Sequence, residues 1–197
     1  MVQTPVKPIT LKEFLSQPET KPAQEYFDNQ IITKPMPQGQ HSRVQLKLTN
    51  AINAVTEDTQ IALAFPELRC TFEGKSIVPD IAVFLWEKIP VNEDGTISNK
   101  FEIAPDWIIE ILSPEQSVNL VTKKIISCLN NGTIMGWLID PYLKLIFVYT
   151  NNSHPQVFEL ENGVVSVPEF AQNLSITVTE IFGWLQLRSC SSFKMDW

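Results

Sequence analysis

Apolar positions follow two rhythms along the chain, and the change between them comes near residue 60. In HSRVQLKLTNAINAV, residues 41–55, Val44, Leu48, Ile52 and Val55 recur at intervals of three and four. That spacing predicts an amphipathic helix with Arg43 and Lys47 on its other faces. From Ile61 the apolar runs become continuous: IALAFPELRCTF (61–72), IAVFLW (81–86), WIIEIL (107–112), MGWLID (135–140) and LKLIFVYT (143–150). Such runs suit strands of a sheet covered on both faces. Between WIIEIL and MGWLID lies SPEQSVNLVTKKIISCLNNG, where Pro114 near the start and Gly132 at the end bracket a helix of about four turns. Strand, helix, strand is a crossover unit, which makes its two strands parallel and its hand right.

The remaining segments are shorter. TLKEFLS (10–16) reads as a first helix, and EYFDNQIITKP (25–35) as a hairpin turning on Asp28 and Asn29, residues that tolerate left-handed geometry. QVFELENG and VVSVP extend LKLIFVYT into a meander, and VTEIFGWLQ (178–186) closes the chain with a short helix. The loop at 91–105 is long enough to be functional or disordered. No repeat or linker divides the chain, so the expected organisation is a flexible N-terminus over 1–8, one domain over 9–186 and a frayed tail over 187–197.

Composition removes several classes of function. Fifteen basic residues against 22 acidic ones give a net charge of -7, which rules out a broad phosphate-binding surface and leaves room only for a local basic strip. The longest apolar run, IAVFLW, has six residues, against the roughly 18 that a membrane-spanning helix needs. The opening MVQTPVKPIT has no apolar signal core, so a cytoplasmic protein is expected, and the scattered Cys70, Cys128 and Cys190 read as reduced thiols. The glycine spacing admits neither a G-x-G-x-x-G turn nor a Walker A loop. His41 and His154 are the only histidines, and there is no Cys-x-x-Cys, H-E-x-x-H or G-x-S-x-G, so standard zinc sites and serine triads lack their residues. Carboxylates and lysines remain as carriers of chemistry.

Two segments concentrate them, VPDIAVF (78–84) and PDWIIEILSP (105–114). Each puts an acid on or beside an apolar strand, where an ionised carboxylate is costly unless paired or bound to a cation. Glu110 interrupts an aliphatic strand and shares a face with Ile108 and Leu112. Asp106 is on that face too but roughly 13 Å away at about 3.3 Å per residue, too far to share an ion. Asp80, on the neighbouring strand, is the partner that can approach.

A PD dipeptide opening one strand, an acid inside the next and a helix after it resemble the PD-(D/E)XK nuclease superfamily. The likeness is closer to one branch, the Uma-two family of restriction-type endonucleases. The residues that carry it are EYFDNQI from Glu25, HSR from His41, PDIAVF with Asp80, IEILSP around Glu110, KIISCLNNG from Lys124 to Gly132, and WLIDP from Trp137, in order over residues 10–185. The resemblance implies a single α/β domain with a restriction-endonuclease-like mixed central sheet flanked by helices. It also implies a Mg2+- or Mn2+-dependent endodeoxyribonuclease, in which Asp80, Glu110 and the main-chain carbonyl of Ile111 ligate the ion. Glu25 serves there as accessory ligand or water-holder, and Lys124 as the cation that orients water or stabilises charge at the phosphate. His41, Arg43 and Lys47 are candidates for DNA backbone contacts, with His41 also readable as a helix-start or packing residue. Three acids in one place imply that DNA approaches once the cation is present, and double-strand cleavage would favour a homodimer.

Three departures stand out. The superfamily's lysine two residues after the acid is Leu112, the branch's helix tyrosine is Cys128, and the acid four residues before Lys124 is Leu120. They support a second reading, a catalytically degenerate nuclease-fold module that binds protein or nucleic acid. A third, a glycosidase using paired carboxylates, finds no aromatic-rich sugar groove in this sequence.

Overall fold

A computed structural model describes residues 9–187 apart from 115, 152, 161 and 162. The N-terminal segment 1–8, the tail from residue 188 onward and Cys190 lie outside the described residues. In chain order the elements are α1 (Leu11–Leu15), β1 (Gln24–Phe27), β2 (Gln30–Thr33), α2 (Gly39–Thr56), β3 (Ala62–Pro66), β4 (Cys70–Phe72), β5 (Lys75–Ile77), β6 (Ile81–Leu85) and β7 (Trp107–Ile111). They continue with α3 (Val118–Leu129), β8 (Met135–Asp140), β9 (Leu145–Thr150), β10 (Gln156–Phe158) and α4 (Val178–Gly183).

The long strands form a six-stranded sheet in the order β10-β9-β8-β7-β6-β3. Every pair in it is antiparallel except β7 with β8, which run parallel because α3 carries the chain back between them. The sheet is therefore mixed, and the fold is a single α/β domain, as the sequence implies. A smaller antiparallel sheet, β2-β1-β5-β4, packs beside it. Of its strands, the sequence predicts the hairpin β1–β2 and, as part of the run 61–72, β4, but not β5.

Strand parity sorts the core. On β7, Trp107, Ile109 and Ile111 join a cluster with Val44, Leu48 and Ile52 of α2 and Ile181 of α4. Ile108 and Leu112 point the other way, toward Val121, Ile125 and Cys128 of α3 and toward Phe27, Cys70 and Ile77 of the small sheet. The apolar runs are continuous because both faces of the sheet are covered.

Several expectations are corrected. The run 61–72 is two strands in two sheets, broken after Pro66 where Glu67 takes a left-handed φ of 49°. VVSVP contributes a single bridge, Val164 to Thr177, rather than a strand of a meander. The crossover helix starts at Val118, capped by the Ser117 hydroxyl, so Pro114 sits in the preceding loop and the helix has 12 residues. The loop at 91–105 is pinned by bridges Val91 to Ile97 and Cys70 to Phe101. Among the described residues no helix is long and apolar enough to cross a membrane.

Candidate active site

The site forms where the small sheet meets the even-numbered face of the large one. Asp80 immediately precedes β6, whose Ile81 pairs with Ile109, the neighbour of Glu110, so the two acids come near enough for the charge on Asp80 to act on Glu110. Both side chains are buried. Asp106, at the other end of β7, is also buried but is satisfied locally: Lys88 Nζ lies 2.6 Å from Oδ1 and the Leu85 amide donates to Oδ2 at 2.9 Å. Asp106 is thus paired with Lys88 at the end of β7 away from Glu110.

Glu25 arrives from β1. The hairpin turn that places it has Asp28 at φ 53° and Asn29 at φ 59°, the two successive left-handed residues of a tight two-residue turn. Glu25 Oε1 accepts the Val78 amide at 2.8 Å and the Lys124 ammonium at 2.9 Å. Lys124, on the buried side of α3, also lies 3.1 Å from Glu110 Oε1. That second contact has the distance of an ion pair but not the alignment of a hydrogen bond, and both Glu110 oxygens are buried without a hydrogen-bond donor.

Asp80 is the most heavily engaged acid. Lys34 Nζ donates to its Oδ1 at 2.6 Å and to the Val78 carbonyl at 2.7 Å. The Ile111 amide donates to Oδ2 at 2.7 Å, and His41 Nε2 is 3.1 Å from the same oxygen. The side-chain amide of Gln45, one turn along α2 from His41, donates to the Asp80 carbonyl at 2.8 Å. Lys34 is the residue that the sequence reading missed. It follows the second hairpin strand beside Pro35, with no local pattern to mark it, and its partners lie 44 and 46 positions away.

These surroundings pull the two carboxylates apart. Burial alone would raise both, but at Asp80 Lys34 and His41 overcome it and the carboxyl is held well below its ordinary range. At Glu110 burial dominates, Asp80 adds to it, and Lys124 offsets it only in part, so the group is raised to about 7. Burial would lower Lys124, yet Glu110 and Glu25 more than compensate and push it above the usual lysine value. Lys34 is raised in the same way, burial being outweighed by Asp80 and Glu110. Both ammoniums stay charged. Cys128 and Cys70 are buried close by, and burial raises both thiols, Cys70 to about 12, so they sit there protonated.

The donor set suits a hard dication. Two neighbouring carboxylates, one with oxygens that lack a hydrogen-bond donor, match an ion that takes one or two protein oxygens and keeps several waters. Among the described residues no three His, Cys, Asp or Glu side chains are arranged so that together they could hold a metal ion.

The other DNA-contact candidates lie elsewhere. Arg43 is exposed and its Nε reaches the Trp184 carbonyl at 3.4 Å, while Lys47 stands 6.0 Å from the Trp184 ring centroid. Both belong to the α4 side of α2, whereas His41 and Gln45 face the acids. Two openings reach the cluster. A cavity of about 460 Å3 is lined in part by Asp80, His41 and Lys34, and one of about 320 Å3 by Glu25, Lys124 and Lys34.

Comparison with known proteins agrees with this architecture. The chain matches the family model Uma2, described as "Putative restriction endonuclease", over residues 11–179. It is similar to a crystal structure of "a putative nuclease belonging to DUF820" from Anabaena variabilis ATCC 29413. The two share 53% identity with a TM-score of 0.89, over 91% of this chain and all (100%) of that one. No curated protein matches the chain.

Proposed function

This chain belongs to the Uma2 family, and on that premise we propose that it is a divalent-metal-dependent endodeoxyribonuclease working at Asp80, Glu110, Glu25 and Lys124. The observation that supports this most is Glu110, a carboxylate interrupting a buried strand with neither oxygen given a hydrogen-bond donor and with the charge of a second acid, Asp80, acting on it. A structural acid at that depth is expected to have hydrogen-bond partners, as Asp106 has.

Asp80 and Glu110, with the main-chain carbonyl of Ile111, are the groups to hold Mg2+ or Mn2+. When bound, the ion supplies Lewis-acid stabilisation of phosphate charge and lowers the pKa of water. The protein's own residues do the rest. The Ile111 amide and His41 fix the Asp80 carboxylate in its ionised form and in one orientation. Glu25 anchors the Lys124 ammonium, which also stands beside Glu110. Because Lys124 keeps its proton, it acts as fixed positive charge at the phosphate and not as the base that takes a proton from water. DNA is the proposed substrate because the family is described as restriction endonucleases. Arg43 and Lys47 remain candidates for backbone contacts, whereas His41 is buried against Asp80.

The test is cleavage of plasmid and of short duplex DNA in Mg2+ or Mn2+ by the wild type, Asp80→Asn and Glu110→Gln. A hundredfold or greater loss in each variant is expected, and equal rates in all three would overturn the assignment.

A further inference from the structure

Lys34 has no role in the function proposed above, yet its ammonium sits directly on Asp80 and lines both cavities beside the acids. Its ammonium has three donors, and two are spent on Asp80 Oδ1 and the Val78 carbonyl. It lines both cavities that open onto the acids, while Lys124 lines only the smaller. It also alters the electrostatics expected from the sequence: the three carboxylates Asp80, Glu110 and Glu25 face two ammoniums, Lys34 and Lys124, within one buried cluster.

The second constraint concerns space on Asp80. Oδ2 already accepts the Ile111 amide at 2.7 Å and faces His41 at 3.1 Å. The oxygen left for a dication is Oδ1, and Lys34 occupies it at 2.6 Å. An ammonium and a dication sharing one carboxylate oxygen repel each other strongly at such separations, and burial weakens the screening that would relieve it. Both cannot keep their places.

On the reading that this is a divalent-metal nuclease site, we propose that Lys34 is a resident counter-ion that the dication displaces from Asp80. Once displaced, it is the catalytic cation at the scissile phosphate, filling the role left open by Leu112. Pairing with Asp80 keeps the acid ionised and in position before the metal arrives. Release turns the ammonium toward the 460 Å3 cavity, whose lining it already shares with His41 and Asp80. Lys34 thus opposes metal binding and assists turnover, two effects of opposite sign on removing one side chain.

The experiment measures Mn2+ affinity by titration calorimetry, and DNA cleavage at saturating Mn2+, for the full-length wild type, Lys34→Met and Lys34→Arg. Lys34→Met is expected to bind Mn2+ tenfold or more tightly than wild type and to cleave a hundredfold or more slowly, while Lys34→Arg keeps wild-type affinity within a few fold. A merely structural lysine would weaken both properties together. Unchanged or weaker Mn2+ binding by folded Lys34→Met, or unchanged turnover, overturns the role of Lys34 and leaves the metal site standing. No Mn2+ binding by wild type or variant overturns the metal site itself. If Lys34→Met fails to fold, the wild type labelled with 15N at lysine Nζ decides: the Lys34 resonance, assigned through Lys34→Arg, must shift on adding Mg2+, and a resonance that stays put overturns displacement.

Discussion

At the scale of single residues, Asp80 and Glu110 show how neighbours assign different states to the same functional group. The sign of each effect on stability follows from its shift. Asp80 is depressed when folded, so its contribution is present above the ordinary aspartate range and is lost as pH falls through its folded value. Glu110 is raised from 4.5 to about 7, so its contribution is complete below about 4.5 and is lost as pH rises through 7. In chelator, the wild type is therefore expected to lose on the order of 1–3 kcal/mol between pH 5 and pH 8 from this one group. Glu110→Gln, which has no proton to lose, should lack that part of the decline. Urea unfolding midpoints at the two pH values measure it, and parallel declines in both proteins would show that Glu110 is not the cause. Asp80 and Glu110 were legible because a charge inside an aliphatic strand violates the local pattern. Lys34 was not, because a lysine after a strand is ordinary in sequence and gains its meaning from a carboxylate 46 positions away.

At the scale of elements, the site depends on two local devices. The hairpin holds Glu25 through a turn with two successive left-handed residues, and Asn29→Val is expected to cost about 1–2 kcal/mol because a β-branched residue resists that conformation. Asn29→Gly should be neutral or stabilising, and thermal unfolding of the pair checks the order. The second device is the close seat of α3 on β8. A Cβ added at Gly136 would stand 2.3 Å from Ile125 Cγ2, a methyl on a stiff β-branched side chain next to Lys124. Gly136→Ala is expected to destabilise by about 1–3 kcal/mol and to slow cleavage by moving α3 off the sheet. Wild-type stability and rate in that variant would show that α3 tolerates displacement. Long apolar runs predicted β6 to β9, and the charged-free face of 41–55 predicted α2, since periodicity is written locally. β5, three residues reading Lys-Ser-Ile, has no such signature, and it is a strand because β1 and β4 supply its ladder partners.

At the scale of the whole molecule, the buried ions form the joint between the two sheets. Glu25 and Lys34 come from the small sheet and the residue that follows it, Asp80 and Glu110 from the ends of the interior strands β6 and β7 of the large one, and Lys124 from α3. The joint is weaker than its contacts suggest, because burial and the charge on Asp80 both oppose ionisation of Glu110 in a medium that screens poorly. A dication seated there relieves that opposition and is bound only by the folded chain, so it must stabilise the entire domain by linkage. At a hundredfold excess over the dissociation constant this amounts to about 2.7 kcal/mol. For a chain of this length that corresponds to a rise in Tm of roughly 5–10 °C. Scanning fluorimetry in Mn2+ against chelator should show the rise as a movement of one transition, since both sheets share the joint. Glu110→Gln should lose most of it, having given up the carboxylate whose oxygens lack donors. Ca2+, larger and seeking more oxygen ligands than two carboxylates and a carbonyl supply, should raise Tm less than Mn2+ at equal concentration. A Tm indifferent to every divalent ion would mean that the cluster is already complete with its two lysines, and the nuclease assignment would lose its physical basis.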